Sequence, residues 1–133
     1  MPTCRQLMSV EGMFRTLIVL CLATMVGCSS TPEYVGMTQE EGLAYAQRKF
    51  EAADHKEAIE ALEQIAAGSP DFERMPEVRL LMADAFYHDG DYLTAVSEYT
   101  RVLDRYVNTP QGPLAALGVC KSYVGLAPIP QRD

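Results

Sequence analysis

Two patterns of apolar positions divide this chain. From Leu17 to Val26 the residues are apolar almost without a break, whereas from Thr38 onward apolar positions recur every three or four residues. The first run is about half of the ~20 residues an α-helix needs to cross a hydrocarbon core, and Arg15 stands just before it, so it reads as the apolar region of a signal peptide. The second pattern is that of amphipathic helices.

Punctuation residues set the expected helices. Thr38 and Glu41 have capping-box spacing ahead of "EEGLAYAQRKFEAA". Asp54 opens "DHKEAIEALEQIAAGSP", with Ala58, Leu62 and Ile65 on one face, Gly68 as a stop and Pro70 beyond it. Pro76 takes a first-turn position in "MPEVRLLMADAFYHDGD", which ends at Gly90. "DYLTAVSEYTRVLDRYV" places Ala95, Tyr99 and Val102 one turn apart, and "GPLAALGVCKSYVGL" follows as a further helix. The pattern predicts two helical hairpins and the first helix of a third.

The hairpins overlay on one another. Ala46 recurs as Ala83 and Ala58 as Ala95, each at a step of 37 residues (83 − 46 and 95 − 58), and the same step lands on Cys120. Small residues at such a period mark close approaches between helices in a repeat protein. The expected fold class is all-α, hairpins stacked as a short α-solenoid. Cys120 is then expected to be a small packing residue, with a reactive thiol as the alternative.

"FEAADHKEAIEALEQIAAGSP" and "AFYHDGDYLTAVSEYTRVL" resemble tetratricopeptide repeats. The resemblance makes Gly90-Asp91-Tyr92 the inter-helix turn, Ala58 and Ala95 the small position of the second helix, and Pro70 the close of the first repeat. The period exceeds that family's 34, and Ala53 and His55 stand where its turn prefers Gly and Tyr. Repeat one spans 38–70, repeat two 75–107 and an incomplete repeat three 110–133, in which Tyr123 stands where Phe86 stood. Leu114, Leu117, Val119 and Val124 give the last helix no polar outer side, so the reading expects either a longer solenoid or a covering partner.

The leader ends in Met25-Val26-Gly27-Cys28, which resembles the lipobox of bacterial lipoproteins. That resemblance implies cleavage between Gly27 and Cys28 and acylation of Cys28, where two or three acyl chains anchor a protein stably. Residues 1–27 would be the leader, with Met13 as a possible true start, 28–37 a tether and 38–133 the repeat domain. From Cys28 onward there are nine Lys and Arg against seventeen Asp and Glu, 9 − 17 = −8, which argues against a nucleic-acid binder. With Cys28 lipidated, Cys120 has no intrachain partner, so packing alone must hold the core.

Lipobox, short tether, two repeats and then "NTPQGPLAALGVCKSYVGLAPIPQRD" resemble in their order the BamD family, the tetratricopeptide lipoproteins of the outer-membrane β-barrel assembly machinery. The residues that carry the match at its end are Cys120, Tyr123, Pro128, Pro130 and Arg132-Asp133. The resemblance implies a periplasmic scaffold without catalysis, anchored through Cys28 at the inner face of the outer membrane. Its implied partners are unfolded barrel precursors, the central barrel subunit and the other assembly lipoproteins, and its only attached group is the lipid. The chain would be the N-terminal part of such a protein.

In a repeat of this kind the first helices line a groove. The positions that would line it are Gln47, Phe50 and Glu51, then Asp84, Tyr87 and His88, then Lys121 and Val124. Phe50 and Tyr87 would stack on an aromatic near a precursor's end and Lys121 would meet its terminal carboxylate; alternatively the two aromatics are core residues. His55 and His88, the only histidines, sit at inter-helix turns without ligand spacing around them, and no nucleophile elbow or phosphate-cradling loop occurs. The expected reading is a binding scaffold; a tetratricopeptide adaptor for another envelope system, pilus secretin assembly or cell-wall synthesis, is the alternative.

Overall fold

The structure, a computed structural model, describes residues 32–127. The leader, the Gly27-Cys28 cleavage and lipidation site, and the tail with Pro128, Pro130, Arg132 and Asp133 lie outside the described residues. Five helices and no strand occur among the described residues: α1 (Gln39–Glu51), α2 (His55–Gly68), α3 (Met75–Asp89), α4 (Tyr92–Tyr106) and α5 (Gln111–Leu126). None is long and apolar enough to cross a membrane.

The helix ends follow local chemistry. Glu41 N–H donates to Thr38 Oγ1 (3.4 Å) while Thr38 N–H donates to Glu41 Oε2 (2.9 Å), a complete capping box at the start of α1. Asp91 accepts the Thr94 N–H (3.1 Å) at the start of α4, and Pro76 lies in the first turn of α3. Gly90 closes α3 in a left-handed conformation (φ 88°), which its missing Cβ permits. At the matching turn, 37 residues earlier, Ala53 is forced to φ 61°. Gly68 is the last residue of α2, with Ser69 N–H donating to Ile65 O (2.9 Å).

Each helix packs on its neighbour in the chain. In addition α1 meets α3 and α3 meets α5, while α2 and α4 make no such contact. The first helices therefore form a closely spaced inner row and the second helices a splayed outer one, the arrangement of stacked helical hairpins. Leu43, Ala46, Leu62, Ile65, Val78 and Met82 belong to the core under α1, α2 and α3, and Ala83, Ala95, Tyr99, Val102 and Ala115 to a second under α3, α4 and α5. Phe86 and Tyr106 touch both. Burial of each large apolar side chain contributes roughly 1.5–3 kcal/mol, so these two layers hold the stack without a cross-link. Tyr34 and Met37, assigned by sequence to the tether, already pack partly buried on the first core, and Tyr34 Oη–H donates to Glu60 (3.0 Å).

The third repeat departs from expectation. Ala46 and Ala83 are fully buried, but Cys120, one period on, is exposed, and Tyr123 is exposed where Phe86 is partly buried. Ala46 shares its core with Ala61, Leu62 and Ile65 of the following helix and Ala83 shares its core with Ala95, Tyr99 and Val102 of the following helix, whereas among the described residues no helix follows α5. Cys120 is thus a surface thiol and not a packing residue. The buried face of α5 is Gly112, Ala115, Gly118 and Ser122, small residues that admit the rings of α4: a Cβ on Gly118 would overlap Tyr99, and one on Gly125 would stand 2.9 Å from Tyr92. Leu114, Leu117 and Val124 are exposed as the missing polar cap predicts, while Val119 is partly buried on the second core.

Candidate functional site

The inner row gathers most of the groove positions, and their surroundings differ. Gln47 on α1 donates from Nε2 to Glu77 Oε1 on α3 (3.0 Å), an oxygen also held by Arg74 (2.8 Å), which reaches Glu40 as well (2.7 Å). Gln47 is therefore committed to joining α1 to α3. Glu51 is exposed beside it.

Phe50 and Tyr87 lie half-buried in an aromatic row that crosses the hairpins. Phe50 meets the His55 ring at 5.3 Å and 57°, and its repeat mate Tyr87 meets Tyr92 at 5.4 Å and 59°. Both pairs are separated by the same 37 residues that relate Ala46 to Ala83. His88 links them: it stacks on His55 (5.5 Å, 28°) and takes the edges of Phe50 (5.5 Å) and Tyr87 (5.4 Å). Phe50 and Tyr87 are both partly buried, and Tyr87 also packs against the second core.

Beside this row Asp84 sits in partial burial and accepts the Tyr99 hydroxyl at 2.5 Å. Burial raises its carboxyl above the ordinary aspartate range, and the Tyr99 hydrogen bond with the positive charges of His88 and Lys121 pulls part of the way back. Burial and the Asp84 hydrogen bond push the Tyr99 phenol up in turn. His88 of α3 and Lys121 of α5 are thus both in electrostatic reach of Asp84. Val124, at 76% exposure, belongs to the open apolar side of α5 with Leu114, Leu117 and Tyr123.

Sequence reasoning missed His55 and Tyr92 as members of the row. The signal was present, since the step of 37 carries Phe50 to Tyr87 and His55 to Tyr92 just as it carries alanine to alanine. Chemically the site offers aromatic faces, one half-buried carboxylate and one exposed ammonium, a set suited to holding a chain segment. Among the described residues no group of three or more His, Cys, Asp and Glu is placed to hold a metal ion. A scan of protein-family models gives no match to this chain, and a search of curated proteins gives none either.

Proposed function

We propose that this chain is a lipid-anchored periplasmic scaffold of outer-membrane β-barrel assembly, which receives unfolded barrel precursors on its row of first helices and contacts the central barrel subunit. The observation that carries the reading is the inner row itself: α1, α3 and α5 touch in sequence and place Phe50 and Tyr87 at equivalent, partly open positions beside Asp84 and Lys121. An extended peptide has an aromatic to stack and a carboxylate terminus to neutralise, and this surface supplies both partners. The lipobox-like Met25-Val26-Gly27-Cys28 supports a membrane-tethered setting.

The first test is a pull-down of the full-length protein from its own membranes in detergent, with Cys28→Ser as the untethered control. Recovery of a large outer-membrane barrel with periplasmic domains is the expected result. Recovery of secretin or cell-wall enzymes without it would move the function to another envelope system. The site is tested separately: Phe50→Ala and Tyr87→Ala should weaken binding of a barrel-precursor C-terminal peptide about tenfold while the melting temperature holds. Loss of binding and of Tm in parallel would make the two rings structural only.

A further inference from the structure

Leu117, Cys120 and Val124 form one seam along the open apolar side of α5, at steps of three and four residues, with Leu114 and Tyr123 flanking it. Leu117 and Val124 are more than half exposed, and Cys120 is a surface thiol. The fold itself shows what such a seam fits. On the second helices, α2 buries Ala58, Leu62 and Ile65, and α4 buries Ala95, Tyr99 and Val102: a small residue, a larger one four on and an aliphatic one three further. Cys120, Val124 and the C-capping Ala127 repeat those steps on α5, all of them exposed. Cys120 also stands one period after Ala46 and Ala83, the positions of α1 and α3 that share a core with those second helices. One helix thus carries both halves of the hairpin contact. We infer that α5 pairs with α5 of a second copy of this chain, antiparallel and across a two-fold axis.

Antiparallel packing is the relation of each second helix to its first, imposed by the short turns at 52–54 and 90–91. With the axis between positions 120 and 121, Leu117 faces Val124 of the copy (117 + 124 = 120 + 121), and the two Cys120 side chains lie beside the axis. Charge favours α5 over the other helices for this contact. Each of α1 to α4 carries two or more Asp or Glu, whereas α5 carries none. In a chain of net charge −7, a face without carboxylates is where a second copy approaches with least repulsion. Lys121, the one charged residue of α5, lies at the edge of the seam and has Asp84 of its own chain in electrostatic reach. A single helix pair falls short of the ~1,200 Å² that a stable interface buries, so the dimer is weak, with a Kd of about 10–100 µM. The inference concerns the open side of α5 and does not depend on what binds the inner row.

The test is sedimentation of the full chain in detergent from about 1 to 500 µM, a range that brackets the expected Kd, with Cys28→Ser in parallel to separate association through lipid from association through protein. A concentration-dependent dimer is expected in both. Val124→Lys, at an exposed site, should weaken it about tenfold or more with Tm unchanged, because two seams then meet with added positive charge. A chain that stays monomeric, a dimer indifferent to Val124→Lys, or association that vanishes with Cys28→Ser overturns the proposal. Register is read by cross-linking in Cys120→Ser chains with diamide, a two-electron thiol oxidant, and peptide mass spectrometry. Leu117→Cys mixed with Val124→Cys should give a 117–124 disulfide between copies, while each alone gives none; like-with-like bonding at these positions overturns the antiparallel pairing. Maleimide labelling of Cys120 in wild type should be fast in dilute solution and slow as the dimer forms. Protection that does not change with concentration would mean that another segment or another protein covers the seam, and overturns the second copy as its occupant.

Discussion

Ala53 and Gly90 occupy the same turn of successive hairpins, 37 residues apart, and both hold a left-handed backbone, at φ 61° and 88°. Glycine adopts that conformation freely, whereas an L-residue bears a cost of roughly 1–2 kcal/mol there. Glycine's extra freedom when unfolded offsets part of the difference, roughly 0.5–1 kcal/mol. Ala53→Gly should therefore stabilise the protein by about 0.5–1 kcal/mol. Gly90→Ala should destabilise it by about 1 kcal/mol, since a Cβ there meets open space and only the backbone cost remains. Urea titration reads both, and opposite signs are the decisive feature.

The seat of Tyr99 on Gly118 gives a second expectation. Tyr99 is almost fully buried and its hydroxyl is held by Asp84, so the ring cannot yield to a new methyl without breaking that bond. Gly118→Ala should cost about 1–3 kcal/mol, the usual range for overpacking. Gly68→Ala is the contrasting change: its Cβ meets nothing, and helix propensity favours alanine by up to ~1 kcal/mol. Thermal melting of the pair would fail to support the packing account if the two variants moved together.

Glu57 carries the clearest pH dependence. The Lys49 ammonium at 2.7 Å, the Tyr45 hydroxyl and Asp54 hold its carboxyl down at about 2, against an ordinary 4.5. A depressed acid contributes stability that is present above pH 4.5 and lost as pH falls toward 2. Glu57→Gln should flatten that part of the stability curve, and an unchanged slope between pH 4.5 and 2 would show the ion pair to be idle. Asp84 works in the opposite sense, because burial raises it and its ionisation above the ordinary range opposes folding. Asp84→Asn keeps an acceptor for Tyr99 and should leave neutral-pH stability unchanged or higher.

Exposure of Cys120 predicts its reactivity. In the native protein at neutral pH, a maleimide should label Cys120 within about tenfold of its rate in urea, located by peptide mass spectrometry. Protection by a factor of hundreds would return the residue to the packing role that its repeat position suggested.

The helices were legible because their limits are chemical. Thr38 with Glu41, Pro76 and Gly90 are read directly as caps and stops, and each acts as one, while Asp91, read as part of the inter-helix turn, caps α4. The step of 37 was legible through alanines, since small residues at helix crossings leave a clear trace. Burial at Cys120 was misread because periodicity fixes which face of a helix a residue shares, while burial depends on whether another helix covers that face. The histidine stack was hidden for a related reason: His55 and His88 are 33 residues apart (88 − 55), and their meeting depends on how hairpins lean on one another. Gln47 illustrates the same limit, its position being predicted and its bond to Glu77 supplied by the α1–α3 contact.

Gly118 and Gly125 are seven residues apart (125 − 118), two turns on one side of α5, and each receives a tyrosine ring from α4. The two rings work as pins in two keyways. A helix with a single notch can pivot about it, and one with none can slide by a turn and find an equivalent fit. With two notches, sliding or rolling α5 drives at least one ring into backbone. The pairing of α4 with α5 is thereby indexed to one setting, and a pull on α5 is passed to α4 as a whole instead of being dissipated as slippage between them.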